Sequence, residues 1–289
     1  MVLPALVARG WDVRALHSRS QPVEVPGVRW RRTNLLETAD MRRAVDENRT
    51  SHLLHLAWYI APGKWASAPD NFDWVRASLD LVTAFRSVGG TRVITAGSCL
   101  EYDWNAGVCS EDGTPLAPHT IYGTCKNALQ LLTAAMIPNS AWGRIFFLYG
   151  PHEHPDRLVS SVIRSILAGQ PARTSHGKQV RDYLYAGDVA DAFVRLLESD
   201  ITGPINVASG QAVALKDIVT RVGDLMGRPD LIQLGAIPAA ATDTPLVVAD
   251  TTRLRSKLGW APSFDLDRGL TDTIKWWRSQ RSSALEGRQ

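Results

Sequence analysis

Apolar positions along the chain fall into two rhythms that alternate, as expected when a parallel sheet is built strand by strand through crossover helices. His52-Leu53-Leu54-His55-Leu56-Ala57, Thr91 to Ser98 and Ser140 to Leu148 are nearly unbroken apolar runs. Strands covered by helices on both faces look like this, because neither face needs to be polar. Asp73 to Phe85, closed by Gly89-Gly90, and the segment opening at Ile121 instead repeat apolar residues every three or four positions. That spacing predicts helices. Before them the pattern predicts a helix over Leu3 to Ala8 stopped by Gly10, strands over Trp11 to Leu16 and Val28 to Arg31, and a charged helix over Ala39 to Asn48. After them it predicts helices from Arg157 to Leu167, Ala190 to Leu197, Leu215 to Met226 and Leu266 to Arg278, with a short strand at Ile205 to Ala208. The Pro- and Trp-rich stretch Trp58 to Phe72 and the turn-rich stretch Glu101 to His119 read as loops. The expectation is an α/β fold, a doubly wound parallel sheet with a smaller C-terminal lobe.

With 289 residues and 45% hydrophobic content, the chain can bury the core of one large α/β unit or two closely joined lobes. A net charge of +3, with arginines spread along the chain, offers no basic stripe and argues against nucleic acid as a partner. Cys99, Cys109 and Cys125 show no metal-ligand spacing and leave an odd thiol, which fits a reducing cytoplasm and predicts no metal site. No apolar run approaches the ~18 to 20 residues a membrane helix needs. The first residues lack a basic leader and a cleavage pattern, which argues against a signal peptide.

The candidate chemistry centres on Tyr122 and Lys126, four residues apart at the start of a predicted helix. That spacing puts phenol and ammonium on one face, one turn apart. A tyrosine is a poor base at neutral pH unless a nearby cation stabilises its phenolate, and Lys126 is the expected cation. Ser98 ends the predicted strand Thr91 to Ser98, at the sheet edge where open parallel sheets bind ligands. The three form a proton-transfer set for a carbonyl or alcohol reaction. Taken alone, a Tyr and a Lys four apart also describe an ordinary helix surface.

Their context adds a resemblance. His55-Leu56-Ala57 ends a strand; Ser98 stands four before Tyr102; Tyr122-Gly123-Thr124-Cys125-Lys126 follows. Then come Arg144 through Tyr149-Gly150-Pro151, Arg181-Asp182-Tyr183-Leu184-Tyr185 with Asp188-Val189-Ala190, Ile205-Asn206-Val207-Ala208-Ser209-Gly210, and Leu258-Gly259-Trp260. In this order they resemble the extended short-chain dehydrogenases/reductases, in particular the nucleotide-sugar epimerases, dehydratases and reductases, from Pro4 to about Arg278. The resemblance implies a Rossmann-like dinucleotide-binding domain over residues 1–150. It implies a mainly substrate-binding lobe over 151–289, with some segments returning to the first domain. It also implies NAD or NADP as cofactor, a nucleoside-diphosphate sugar as substrate, and a homodimer formed through the helices following Asp73 and Tyr122.

The same resemblance assigns residues. Ser98, Tyr122 and Lys126 become catalytic, with Tyr122 and Lys126 also on the cofactor ribose. Ser18 and Arg19 sit where a neutral residue and an arginine suit a 2′-phosphate, Asn34 and Leu35 where the adenine lies, and Ala57 close to the cofactor. Arg181, and Arg157 as a second cation, are placed on the substrate diphosphate, where the guanidinium fork suits oxygen pairs. Phe147 stands where many relatives carry an Asn that contacts the sugar nucleotide. Cys99 and Leu100 replace the Asp-Glu pair of the dehydratases, which disfavours dehydration, and Glu101 is one residue out of register for that role.

One departure is large. The strand and G-x-x-G-x-x-G turn that precede the first helix in the family are absent from this sequence. That turn brings pyrophosphate against backbone N–H groups at a helix N-terminus. The strand is central in a sheet of order 3-2-1-4-5-6, so its loss leaves two neighbouring strands with unpaired ladder groups. The expectation is a start placed downstream of the natural one; the alternative is a complete chain that lost productive cofactor binding and survives as a non-catalytic remnant.

Overall fold

In chain order, helix α1 (Val2–Ala8) leads into strands β1 (Val13–His17) and β2 (Val28–Arg32), helix α2 (Thr38–Asn48), strand β3 (His52–His55), helix α3 (Asp70–Ser87) and strand β4 (Arg92–Ser98). Next come β5 (Val108–Cys109), α4 (Ile121–Met136), β6 (Ser140–Ile145), β7 (Phe147–Tyr149), α5 (Leu158–Leu167), β8 (Ala172–Arg173), β9 (Val180–Arg181), β10 (Tyr183–Tyr185) and α6 (Ala186–Glu198). The chain closes with β11 (Gly203–Val207), β12 (Val213–Ala214), α7 (Leu215–Leu225), β13 (Ile232–Gln233), β14 (Leu246–Ala249), α8 (Thr252–Leu258) and α9 (Leu266–Glu286). This computed structural model describes residues 1–18, 23–239 and 244–286, with side chains as far as Arg281.

The central sheet is parallel, in the order β11-β6-β4-β3. Side chains along a strand alternate between faces, so neighbouring residues join different cores. Ile94 and Ala141 pack with α1, α6 and α8 through Leu6, Phe193 and Leu254. Val93 packs with α2 and α3 through Met41, Val82 and Phe85, and Trp142 with α4 through Leu129. Helices thus cover both faces, which is why these strands read as continuous apolar runs.

Strands β1 and β2 form a separate parallel pair; among the described residues β1 bonds only to β2 and β3 only to β4. Among the described residues one ladder edge of each is therefore unpaired, as the absence of a strand between them predicts. Side-chain contacts span that junction: Trp11 meets His52 edge-on at 4.8 Å, and Arg14 donates to the Asn48 carbonyl at 2.9 Å.

The strand expected over Ser140 to Leu148 breaks in two. Phe146 N–H still reaches the Val207 carbonyl of β11, but Phe147 N–H turns to the Asp182 carbonyl, and β7 pairs with β10 instead. A switch of ladder partner inside one apolar run leaves no trace in hydrophobic periodicity. Helices α5, α7 and α9 then pack together through Val162, Ile163, Ile218, Val222, Leu270 and Ile274, while β11, far along the chain, returns to the central sheet beside β6.

Candidate active site

Thr120 starts α4 by accepting the Gly123 N–H at 3.0 Å, an N-cap that satisfies one of the orphan donors of the first turn. Gly123 is required by proximity, because a Cβ there would lie 2.3 Å from the Leu100 carbonyl oxygen. The helix can therefore press its first turn against the end of β4. Tyr122 and Lys126 face that end, and the Ser98 hydroxyl is among the groups that bear on the Tyr122 phenol.

Ser98 is held from below. It caps a short 3₁₀ turn, Cys99–Glu101, with Oγ accepting from Leu100 N–H at 3.2 Å while its own N–H donates to Glu101 Oε1 at 2.8 Å. Glu101 is fully buried and also accepts from Trp142 Nε1 at 2.9 Å and from Arg144 Nε at 2.7 Å. Arg144 in turn donates to the Tyr102 hydroxyl at 2.9 Å, and that hydroxyl donates to Asn206 Oδ1 at 2.8 Å. Gly97 admits the arrangement, since a Cβ there would fall 2.0 Å from Trp142 Nε1. Sequence reasoning left Glu101 in a loop without a role. Its three donors come from residues up to 43 positions away, which local spacing cannot reveal.

Lys126 does not behave as the sequence suggests. Its ammonium donates to the Ala96 carbonyl at 2.8 Å and lies 3.9 Å from the centre of the Trp58 ring, but 5.8 Å from that of Tyr122. Burial pushes its amine down to about 7, against the opposing pull of Glu101. The Tyr122 phenol is pushed up rather than down, first by burial and then by the Glu101 charge, with Arg157 the cation that opposes the rise. The expected stabilisation of the phenolate by Lys126 is therefore not realised in this arrangement, because desolvation outweighs it.

The segment after β3 causes that desolvation. Trp58 and Trp65 meet the Tyr122 ring edge-on at 6.2 and 5.1 Å. Trp58 Nε1 donates to Asn71 Oδ1 at 2.8 Å, and Asn71 Nδ2 donates to the Trp65 and Ala68 carbonyls, each at 2.8 Å. The loop expected over Trp58 to Phe72 thus pins two tryptophans on the reactive face. His55 stays out of the chemistry: buried and 2.8 Å from Ser78 Oγ, it is held down to about 3 by burial and by Lys126.

On the far side of Trp58 lies a cleft of about 890 Å³ at the carboxyl ends of β1, β2 and β3. Leu16, Ser18, Arg32, Thr33, Asn34, Leu35 and Ala57 line it with Trp58. Ser18, Asn34, Leu35 and Ala57, far apart in sequence, are thus brought together. Arg19 lies outside the described residues. Asn34 Oδ1 accepts the Leu36 N–H at 3.2 Å, and the Thr33 hydroxyl is buried with no hydrogen-bond partner.

The three expected substrate residues lie near β7 and α5. Arg181 is buried, donates to the Val180 carbonyl at 2.9 Å, and sits 5.4 Å from the Phe147 ring centre and 5.8 Å from that of Trp104. Phe147 stacks on Tyr183 at 5.7 Å. Arg157, exposed at the N-cap of α5, lies 5.7 Å from the Trp65 ring centre.

The family model described as NAD dependent epimerase/dehydratase family matches residues 1–208. The chain belongs to that family. It is 26% identical over 288 residues to the UDP-glucose 4-epimerase of Rhizobium meliloti, covering 88% of this chain and 86% of that protein. Its match to a dTDP-glucose 4,6-dehydratase of Xanthomonas campestris, 26% over 185 residues, covers 58% of this chain and only 52% of the dehydratase. Among solved structures, MoeE5 in complex with UDP-glucuronic acid and NAD superposes with a TM-score of 0.80 at 27% identity, covering 96% of this chain and 95% of MoeE5. The fold is thus the Rossmann-like fold of these nucleotide-sugar epimerase/dehydratase enzymes. None of the described helices is long and apolar enough to cross a membrane.

The residues present fit the family's dinucleotide at two places. The cleft offers an apolar floor, the Asn34 side chain and the unpartnered Thr33 hydroxyl to an adenine nucleoside, and Ser98, Tyr122 and Lys126 stand beyond Trp58. The described residues contain no glycine-rich turn for the pyrophosphate between them.

Proposed function

We propose that this epimerase/dehydratase-family chain acts on one carbinol carbon of a nucleoside-diphosphate sugar, as a 4-keto reductase or a C4 epimerase, in the cytoplasm and as a homodimer. The observation that carries the reading is the placing of Ser98, at the strand end where open parallel sheets bind ligands, against the start of α4 that bears Tyr122 and Lys126, the latter donating to the Ala96 carbonyl of the same strand at 2.8 Å. Residues 1–150 form the cofactor domain in this reading and 151–289 mainly the substrate lobe, with Arg157, Arg181 and Phe147 toward the sugar nucleotide.

A bound nicotinamide supplies the hydride acceptor or donor. Ser98 Oγ holds the sugar oxygen and Tyr122 Oη exchanges its proton. Because the Tyr122 phenol is raised, its protonated form prevails at neutral pH. A phenol donating to a carbonyl oxygen is what reduction requires, and the return half of a C4 epimerisation requires the same. Glu101 acts through Ser98, by fixing its backbone N–H.

The test is turnover of UDP-glucose, UDP-glucuronic acid, dTDP-glucose and their 4-keto forms by the chain and by Tyr122→Phe. Stoichiometric loss of NADPH identifies a reductase; sugar inversion without net loss identifies an epimerase. Loss of at least about 100-fold in kcat is expected for the variant, the usual scale of a positioned acid–base group. A variant as active as its parent removes Tyr122 from the chemistry. A second reading, a non-catalytic remnant, is favoured by the Trp58 ring covering Lys126; absence of turnover on every substrate with nucleotide bound would support it.

A further inference from the structure

The arginines of β1 and β2 are unequal. Arg14 and Arg29 pair with Asp12, and Arg31 pairs with Glu47. Arg32, the last residue of β2, is exposed on the cleft and has neither a carboxylate nor a hydrogen-bond acceptor among the described residues. It stands opposite His17 in the parallel register, and Thr33 N–H bonds the His17 carbonyl at 2.8 Å, so the two strand ends lie side by side. Arg32 thus lines the cleft together with His17, the last residue of β1, and Ser18, which follows it.

No acid occupies the end of β1, where a carboxylate takes the 2′-hydroxyl of an adenosine ribose in folds that prefer NAD. The acids that line the cleft are Asp40 and Asp70. Asp40 is engaged, accepting from Asn34 N–H at 2.7 Å and lying 3.9 Å from Arg31; Asp70 opens α3. An uncommitted guanidinium beside a neutral strand end suits a phosphate monoester, whose oxygens match its planar fork. We infer that Arg32 is the specificity residue of this cleft and that it selects an adenosine carrying a 2′-phosphate, so that the chain takes NADP(H) in preference to NAD(H).

The inference rests on the reading of the cleft as the adenosine end of the cofactor site. Calorimetric titration of the full chain with adenosine 2′,5′-bisphosphate and with adenosine 5′-monophosphate isolates the 2′-phosphate. The wild type is expected to bind the bisphosphate at least about tenfold more tightly, the scale of one charge-assisted contact. Arg32→Gln, a change at an exposed strand end, should bring the bisphosphate down to the monophosphate's affinity and leave the latter unchanged. Equal binding of the two probes by the wild type, or a preference that survives in Arg32→Gln, overturns the role of Arg32 while leaving the cofactor reading in place. Binding of neither probe overturns the cofactor reading and this inference with it.

Discussion

Replacing Glu101 by Gln removes a buried anion while keeping its shape, and its cost follows from the contacts. Oε1 accepts from Ser98 N–H at 2.8 Å and from Trp142 Nε1 at 2.9 Å, and Oε2 accepts from Arg144 Nε at 2.7 Å. A glutamine amide accepts on one atom only, so its NH₂ would face the Arg144 N–H, donor against donor. The two side chains are 0% and 1% exposed, so water cannot replace the lost partner. Breaking a buried pair from one side costs about 3–5 kcal/mol, a large share of a domain stability of ~5–15 kcal/mol. Urea unfolding at neutral pH, followed by tryptophan fluorescence and circular dichroism, measures the loss from the midpoint and slope. The double variant Glu101→Gln/Arg144→Met, which leaves no unpaired charge, is expected to recover part of it. A loss below about 1 kcal/mol, the level of an exposed pair, or a double variant no better than the single one, would refute the argument.

Two further outcomes follow from the same geometry. The Lys126 amine is lowered by burial from its ordinary 10.5 to about 7, so between those values the unfolded chain holds a proton the folded chain lacks and stability rises with pH. Lys126→Met should abolish that rise and stabilise the protein below the window; urea midpoints at about pH 6, 8 and 10 that stay parallel in the two proteins would show that the amine is not desolvated. Phe72 at the start of α3 and Leu131 and Leu132 on α4 are 59%, 58% and 45% exposed, an apolar face that a second copy would cover. Light scattering should give the mass of two 31.7 kDa chains for the wild type and of one for Leu131→Glu, whereas a monomeric wild type would discard the dimer.

Period alone carried much of the fold. The strands ending at His55 and Ser98 and the helix from Ile121 stand close to where the apolar pattern placed them, because each buries its side chains in a regular direction. Two features escaped for the same reason: they depend on partners distant in sequence. The break at Phe146 is a change of neighbour from β11 to β10, and the importance of Glu101 lies in Trp142 and Arg144. Arg32 stands just past the strand that the pattern places over Val28 to Arg31, and only the ion pairs of Arg14, Arg29 and Arg31 single it out.

The Tyr122 and Lys126 spacing shows where sequence logic stops. Four residues in a helix bring two side chains to one face, and the structure does bring them there. Whether the ammonium lowers the phenol depends on what else is on that face, and spacing says nothing about it. Here two tryptophans from the stretch after β3 exclude water from the pair, and one buried carboxylate bears on both groups. Desolvation penalises the charged form of each, so the amine moves down while the phenol moves up, and their ordinary values of 10.5 and 10.0 are driven apart in the direction opposite to the one a phenolate base needs. Trp58 is the common element, since the ring that covers Lys126 also walls the nucleotide-sized cleft. Both groups therefore feel the position of one indole, and a movement of that ring that readmits water to the ammonium lessens the burial that pushes the amine down and the phenol up.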